Sequence, residues 1–340
     1  MNSRLDMVRT YAFELSGEHD TLPRSEALAL LEVYSTSFKE LCCLDQCLIV
    51  EAEDMDARTM GLRLAMAHRI IEVLAICDAC PDSLTDAAKN LVIPDKTYSV
   101  RARNVKNAPL QGDLVEKEVG RALFKRGYKA DLTKPELDLR AIITGNKVVL
   151  GIEVARAKRG EFEERRPHLK AFFYPGVLMP RMARALVNIS QAKEGDLLLD
   201  PFSGTGGILV EACLIGIRCV GVDVQKKMVR GAKVNLVRLD CTLIAGDARR
   251  LPFRDCSVDN AVLDTPYGRS ALIMADSKEE LLDNGLAELH RVLKPGRSTV
   301  VVADRLIEDH ITAANFTVIE IHTDRVHRSL TRYIFVCIKY

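Results

Sequence analysis

An excess of charge is the first thing this chain of 340 residues lacks: 48 Lys and Arg stand against 47 Asp and Glu, for a formal net charge of +1. Taken over the whole length, that balance argues against an obligate polyanion binder. Long apolar runs are missing too. No segment reaches the roughly 18 uncharged apolar residues that a membrane span requires, and the opening MNSRLDMVRT has no apolar core. Neither a spanning helix nor a signal peptide is expected. No repeat of fixed period occurs. The ten cysteines fall five before residue 81 and five after 212, in a chain long enough to need no disulfide staples, so reduced thiols in the cytoplasm are expected. Cys77-x2-Cys80, with Cys42, Cys43 and Cys47 upstream, could be drawn as a zinc site. However, Cys47 opens the apolar run CLIVEA, and Cys77 continues the helical pattern of Leu74. Buried thiols and no metal are therefore expected.

What is present is ordinary globular composition, 48% hydrophobic and 28% charged, over a length that exceeds the roughly 100–200 residues of one domain. Residues 8–15 and 38–52 read as strands, with a proline-initiated helix between them and an amphipathic helix over 58–76, an α+β unit spanning 1–80. A second unit over 81–155 opens with the strand TYSVRAR, continues with a helix over 112–126, and closes with LDLRAIIT and KVVLGIEVA paired across Gly145-Asn146. Residues 156–177 lose periodicity and read as a linker. From 178 to 340 apolar strands alternate with helices, at 196–200, 218–223, 242–246, 258–264, 298–303, 316–321 and 332–338. That alternation predicts an α/β domain with a doubly wound, mostly parallel seven-stranded sheet of Rossmann-like kind.

The first of these strands runs into Asp200-Pro201-Phe202-Ser203-Gly204-Thr205-Gly206-Gly207 and then a helix. Glycines at such a turn let the backbone approach a ligand at the helix start. A dinucleotide fingerprint would need a further glycine where Leu209 stands, and a carboxylate at the strand tip repels a pyrophosphate but suits an ammonium. Asp223 ends the next strand, placed for a ribose diol, and Asp247 ends the third, placed to accept from an adenine amino group. A ligand with a ribose, an adenine and a positive charge but no phosphates is implied, and S-adenosyl-L-methionine fits. The fourth strand, VDNAVLD, runs into Asp264-Thr265-Pro266-Tyr267. A delocalised exocyclic amine is a poor nucleophile, and acceptors on both its N–H groups favour the pyramidal, nucleophilic form. The Asp264 carboxylate and the Thr265 carbonyl would supply them, while Pro266 biases Thr265 toward extended backbone and Tyr267 offers a face for an unstacked base.

These two motifs resemble those of class I amino-methyltransferases, whose fourth motif is Asp/Asn/Ser-Pro-Pro-aromatic; Thr265 replaces the first proline at a cost in rigidity. With SVRARNV, YPGVLMPRMARALVNIS and HRSLTRYIFV, nearly the whole chain resembles the archaeal tRNA guanine-N2-methyltransferases acting at position 10. The resemblance implies a ferredoxin-like unit and a THUMP domain holding tRNA ahead of the catalytic domain. It implies transfer of one or two methyl groups to guanosine N2, and in some relatives a small zinc-containing activator protein. Carried over by position, Asp200, Ser203, Gly204, Thr205, Gly206, Asp223, Val224, Asp247 and Ala248 would hold the cofactor, and Asp264 to Tyr267 the guanine. A THUMP methyltransferase for another acceptor-stem guanine, a DNA adenine N6-methyltransferase, and a non-enzymatic tRNA binder with a decayed site are the rival readings.

The net charge conceals a split. Residues 1–100 carry 9 Lys/Arg and 17 Asp/Glu, a balance of −8, while residues 101–340 carry 39 and 30, a balance of +9. Candidate RNA contacts are Arg101, Arg103 and Lys106, a second group at Lys125, Arg126 and Lys129, the span from Arg156 to Lys170, Arg269 after the fourth motif, and Arg325, Arg328 and Arg332 near the end. His327 reads as a surface or RNA-contacting residue, since the amine needs no base before attack.

Overall fold

In the computed structural model of this chain, which describes residues 8–266 and 278–340, two compact units divide at Lys158/Arg159. The first is built on one seven-stranded sheet. Its elements are β1 (Arg9–Leu15), α1 (Leu22–Tyr34), β2 (Ser37–Leu44), β3 (Cys47–Glu53), α2 (Ala57–Arg63), β4 (Ala67–Asp78), α3 (Pro81–Asn90), β5 (Tyr98–Asn104), α4 (Gly112–Lys125), β6 (Leu137–Thr144) and β7 (Lys147–Arg156). The strand order is β2-β3-β1-β4-β7-β6-β5.

Three expectations change here. The strand expected over 38–52 is two, β2 and β3, paired antiparallel across a tight turn. The helix predicted over 58–76 ends at Arg63, and Ala67–Asp78 is a strand. The reason is local: the buried Glu26 carboxylate accepts from the Ala65 and Met66 N–H groups at 2.9 and 2.8 Å, stopping the helix, and the β-branched Ile70, Ile71, Val73 and Ile76 then favour extended backbone. Cys77 accordingly lies on a strand rather than a helix. The break expected at residue 80 does not interrupt the sheet, because β4 pairs with β1 on one side and β7 on the other. Two cores nonetheless persist, one around Phe13, Leu30, Leu31 and Leu48 and one around Tyr98, Val115, Val119 and Leu123. The β6–β7 hairpin closes as expected, with Thr144 opposite Lys147 and Gly145 at φ +55°.

The second unit carries α5 (Glu161–Glu164), α6 (Pro180–Ile189), β8 (Leu197–Asp200), α7 (Gly207–Cys213), β9 (Arg218–Asp223), α8 (Lys226–Asn235), β10 (Cys241–Ala245), β11 (Asn260–Asp264), α9 (Lys278–Val292), β12 (Ser298–Ala303), α10 (Glu308–Ala313), β13 (Thr317–His327) and β14 (Leu330–Ile338). The sheet runs β10-β9-β8-β11-β12-β14-β13, parallel from β10 through β12, with β14 antiparallel to both neighbours. Chain order reverses between β8 and β11, which opens the crevice at their carboxyl ends where ligands of doubly wound sheets sit.

The segment expected as a linker belongs largely to this unit. Phe162 is buried, and the Arg165 Nε and Nη2 donate to the two oxygens of the fully buried Glu211 at 2.8 and 3.1 Å, while Arg184 Nη2 reaches the same carboxylate at 3.0 Å. Two guanidiniums on one buried carboxylate make removal of either partner costly.

Candidate active site

Asp200 closes the apolar strand LLLD and Asp223 closes RCVGVD, so alternation places both carboxylates at the crevice. The turn after Asp200 has glycine at its two left-handed positions, Gly204 at φ +50° and Gly206 at φ +79°, a conformation glycine adopts without strain; a Cβ on Gly206 would also come within 2.8 Å of Leu236 Cδ1. Asp223 fastens this turn, its Oδ2 accepting from Gly204 N at 2.9 Å and its Oδ1 from Gln225 N at 2.8 Å. Asn235 fastens it from the other side. Its amide donates to the Thr205 carbonyl at 3.0 Å and to the Phe172 carbonyl at 2.8 Å, and its Oδ1 accepts from Phe172 N at 3.0 Å.

These elements enclose a cavity of about 600 Å³. Asp200, Ser203, Gly204, Thr205, Asp223, Val224, Asp247, Ala248, Asp264, Thr265 and Pro266 all line it, which brings together the predicted cofactor and amine-binding residues. Gly206 is not in the wall; it shapes the turn. Tyr267 and Arg269 lie outside the described residues. The cavity also takes in groups to which the sequence assigns no pocket role: Phe202, the segment Tyr174–Leu178, Leu281 on α9, and His327 and Ser329 at the β13–β14 turn.

Four carboxylates face this space, those of Asp200, Asp223, Asp247 and Asp264. Burial pushes the carboxyl of Asp200, 2% exposed, well above the usual carboxylate range, and the nearby Asp264 and Asp223 push the same way. Burial likewise raises Asp223, against the two backbone N–H groups that hold it. Acidic groups so placed are relieved by a cation. Ser203 Oγ is buried without a hydrogen-bond partner among the described residues, a polar group that a ligand would satisfy.

Asp247 differs. Arg249 donates to it from the backbone N at 2.9 Å, from Nε at 3.1 Å to both oxygens, and from Nη2 at 2.7 Å, so the carboxyl is held below its usual range, chiefly by the guanidinium. Most of its acceptor capacity is already committed, which reduces its fitness for an adenine amino group. Thr265 compensates for the missing proline: its N and Oγ1 donate to the Val302 carbonyl at 2.9 and 2.8 Å, tethering the turn to β12.

Of the predicted RNA contacts, Arg101, Arg325 and Arg328 are exposed. Arg332 is not: it is 6% exposed, donates from Nη2 to the Gly176 carbonyl at 3.2 Å and lies 4.0 Å from Asp324. Its burial makes it a clamp between β14 and the cavity wall rather than a phosphate ligand. Arg103 is similarly engaged by Glu14 at 2.8 Å and Gln46 at 2.6 Å, Lys106 pairs with Asp45 at 2.7 Å, and Arg126 donates to the carbonyls of Lys89 and Leu91.

A doubly wound sheet of this order, with a glycine turn, acidic strand tips and an amine-acceptor turn in one cavity, defines a class I S-adenosylmethionine-dependent methyltransferase. Residues 167–334 match the family described as UPF0020: RMKL-like, methyltransferase domain. The tRNA (guanine(10)-N2)-dimethyltransferase of Methanothermobacter thermautotrophicus is 35% identical over 335 residues, covering 95% of this chain and 97% of that protein. Its namesake from Methanocaldococcus jannaschii is 30% identical, over 95% and 98%. This chain belongs to that family. Among solved structures, TrmN from Thermus thermophilus shares the fold, with a TM-score of 0.53 at 22% identity over 97% of this chain and 100% of TrmN. The chain is an enzyme that uses S-adenosylmethionine. No helix among the described residues is long and apolar enough to cross a membrane.

Proposed function

We propose that this enzyme methylates N2 of guanosine 10 in tRNA, in the cytoplasm, with dimethylguanosine as the end product that the names of its full-length relatives carry. The observation that carries it is the Asp264-Thr265-Pro266 turn at the tip of β11, set in the same cavity as the glycine turn after β8. When bound, the cofactor supplies an electrophilic methyl on a sulfonium. The chain's own residues do the rest. Asp200, Ser203, Gly204, Thr205, Asp223, Val224 and Ala248 hold the cofactor, with Asp247 shaping the loop through Arg249. The Asp264 carboxylate and the Thr265 carbonyl take the two N–H groups of the guanine amine, directing its lone pair at the methyl, and alignment of this kind supplies much of the rate. Exclusion of water by Phe202, Pro266 and Leu281 strengthens both hydrogen bonds.

Residues 1–80 and 81–155 are assigned as ferredoxin-like and THUMP parts of the first unit, presenting Arg101 with Lys125 and Lys129 to the tRNA backbone. In the catalytic unit Arg325 and Arg328 do the same. Competition between tRNA and duplex DNA for labelled methyl tests the substrate class: incorporation confined to tRNA is expected, and equal incorporation into DNA adenine contradicts it. Adding the small zinc-containing activator to the same assay tests that partner, a requirement for it appearing as activity only in its presence.

A further inference from the structure

The large cavity has a smaller neighbour. A space of about 40 Å³ shares Phe202, Thr265, Pro266 and Leu281 with it, and is completed on its apolar side by Leu282, Ala303 and Ile307. Asp304 and the exposed Arg305, which pairs with Glu279 at 3.1 Å, border it. Asp264 lines the large cavity but not this one, whereas Thr265 lines both.

That asymmetry matters once the amine has been methylated. A fresh guanine amine offers two N–H groups, one for Asp264 and one for the Thr265 carbonyl. A monomethylated amine offers one N–H and a methyl, and the methyl can occupy only the direction given up by the other hydrogen. Toward Asp264 it would cover a half-buried carboxylate; toward Thr265 it meets the side pocket. A void needs only about 10–15 Å³ to admit a group the size of a water molecule, and apolar voids receive apolar groups.

We propose that this side pocket receives the methyl group of N2-methylguanosine and thereby allows the same site to perform the second transfer. The proposal rests on the assignment of guanine N2 as substrate and adds its product specificity. In the second turnover the lone pair of the monomethylated amine forms a new N–C bond as the C–S bond of the sulfonium breaks, with those electrons going to sulfur. Asp264 accepts from the one remaining N–H during the transfer, and its carboxylate then takes that proton from the nitrogen and releases it to solvent on opening of the site. Leu282 and Ile307 determine how large a substituent the amine carries.

The test is a pair of single-turnover rates, on tRNA with guanosine and on tRNA with N2-methylguanosine at the target position, for the wild type, Leu282→Phe and Ile307→Phe, with melting temperature and cofactor affinity measured alongside. Filling the pocket is expected to leave the first rate within about twofold and lower the second by about tenfold or more, the discrimination a pocket gives for a group of this size. Equal loss of both rates in a folded variant that binds cofactor, or no loss of either, overturns the proposal. If the larger side chains prevent folding, Leu282→Ala decides in the opposite direction: the widened pocket is expected to improve turnover of tRNA carrying N2-ethylguanosine, and no improvement overturns it. A wild type inactive on unmodified guanosine removes the substrate assignment itself. A wild type that completes the first transfer but never the second removes the side pocket alone.

Discussion

Asp200 concentrates a conflict between stability and binding in one side chain. Burial and two neighbouring carboxylates raise its pKa above the unfolded value, so the folded state holds its proton more tightly. The sign follows: this group favours folding below the ordinary carboxylate pKa, and that contribution is lost as pH rises through the raised folded value. Asp200→Asn keeps the side-chain oxygen that accepts from Phe202 N and removes the buried charge. It is expected to raise the melting temperature at neutral pH, by about 2–4 °C for each kcal/mol relieved. Cofactor affinity should fall, since the cation loses its counter-charge; calorimetry on the same sample checks both signs. Wild-type affinity should rise with pH through the raised Asp200 value, because a cationic ligand favours the ionised form. Asp264→Ala should bind cofactor nearly as well as wild type and lose methylation by about 100-fold or more, the scale of removing one preorganised hydrogen-bonding partner of a reacting group. Asp200, Asp223 and Asp264 were legible in the sequence because each ends an apolar run at a strand tip, whereas Asp247 lies two residues past the end of β10. Arg332 was not, because its partner Gly176 lies far back in the chain, and neither was Arg249's hold on Asp247, which no spacing rule distinguishes from a free strand-end acid.

At the scale of elements, the β8 turn and the segment leading into α6 are held together through one amide. Asn235→Ala removes three hydrogen bonds, to Thr205 and both backbone groups of Phe172. The Phe172 ring also lies where a Cβ on Gly231 would stand, its Cδ1 2.1 Å away, so α8 and this segment meet at a glycine. The loss should cost about 1–3 kcal/mol, mostly for the half-buried backbone groups left unmet, and should weaken cofactor binding because both held segments line the cavity. A melting curve and a titration check it, and unchanged affinity would detach the clamp from the site. Strand and helix alternation in the catalytic unit was legible throughout, with β13 running longer than expected, to His327, and β14 starting earlier, at Leu330. The helix misread over 58–76 shows where periodicity fails: Leu62, Leu64, Met66, Ile70 and Val73 fit either element, and a buried Glu26 from α1, about forty residues earlier, decides.

For the whole molecule, a net charge of +1 is an average over an acidic first hundred residues and a basic remainder. Several of the basic residues prove to be internal ties, so the phosphate contacts should be fewer than the charge count suggests. Affinity for tRNA should still fall by about tenfold or more as salt rises from roughly 50 to 200 mM, and an affinity insensitive to salt would contradict phosphate contacts altogether. Arg325→Ala and Arg328→Ala should each reduce the salt slope, whereas Arg332→Ala should lower stability instead. In the proposed reaction the cavity brings guanosine N2 of a tRNA to the cofactor at one position. Mass spectrometry of nuclease fragments, after incubating tRNA with the purified chain and S-adenosylmethionine, tests it most directly. One or two added methyls on the fragment containing guanosine 10, absent with Asp264→Ala, are the expected result; methyl on another nucleotide, or equal incorporation by Asp264→Ala, would contradict it.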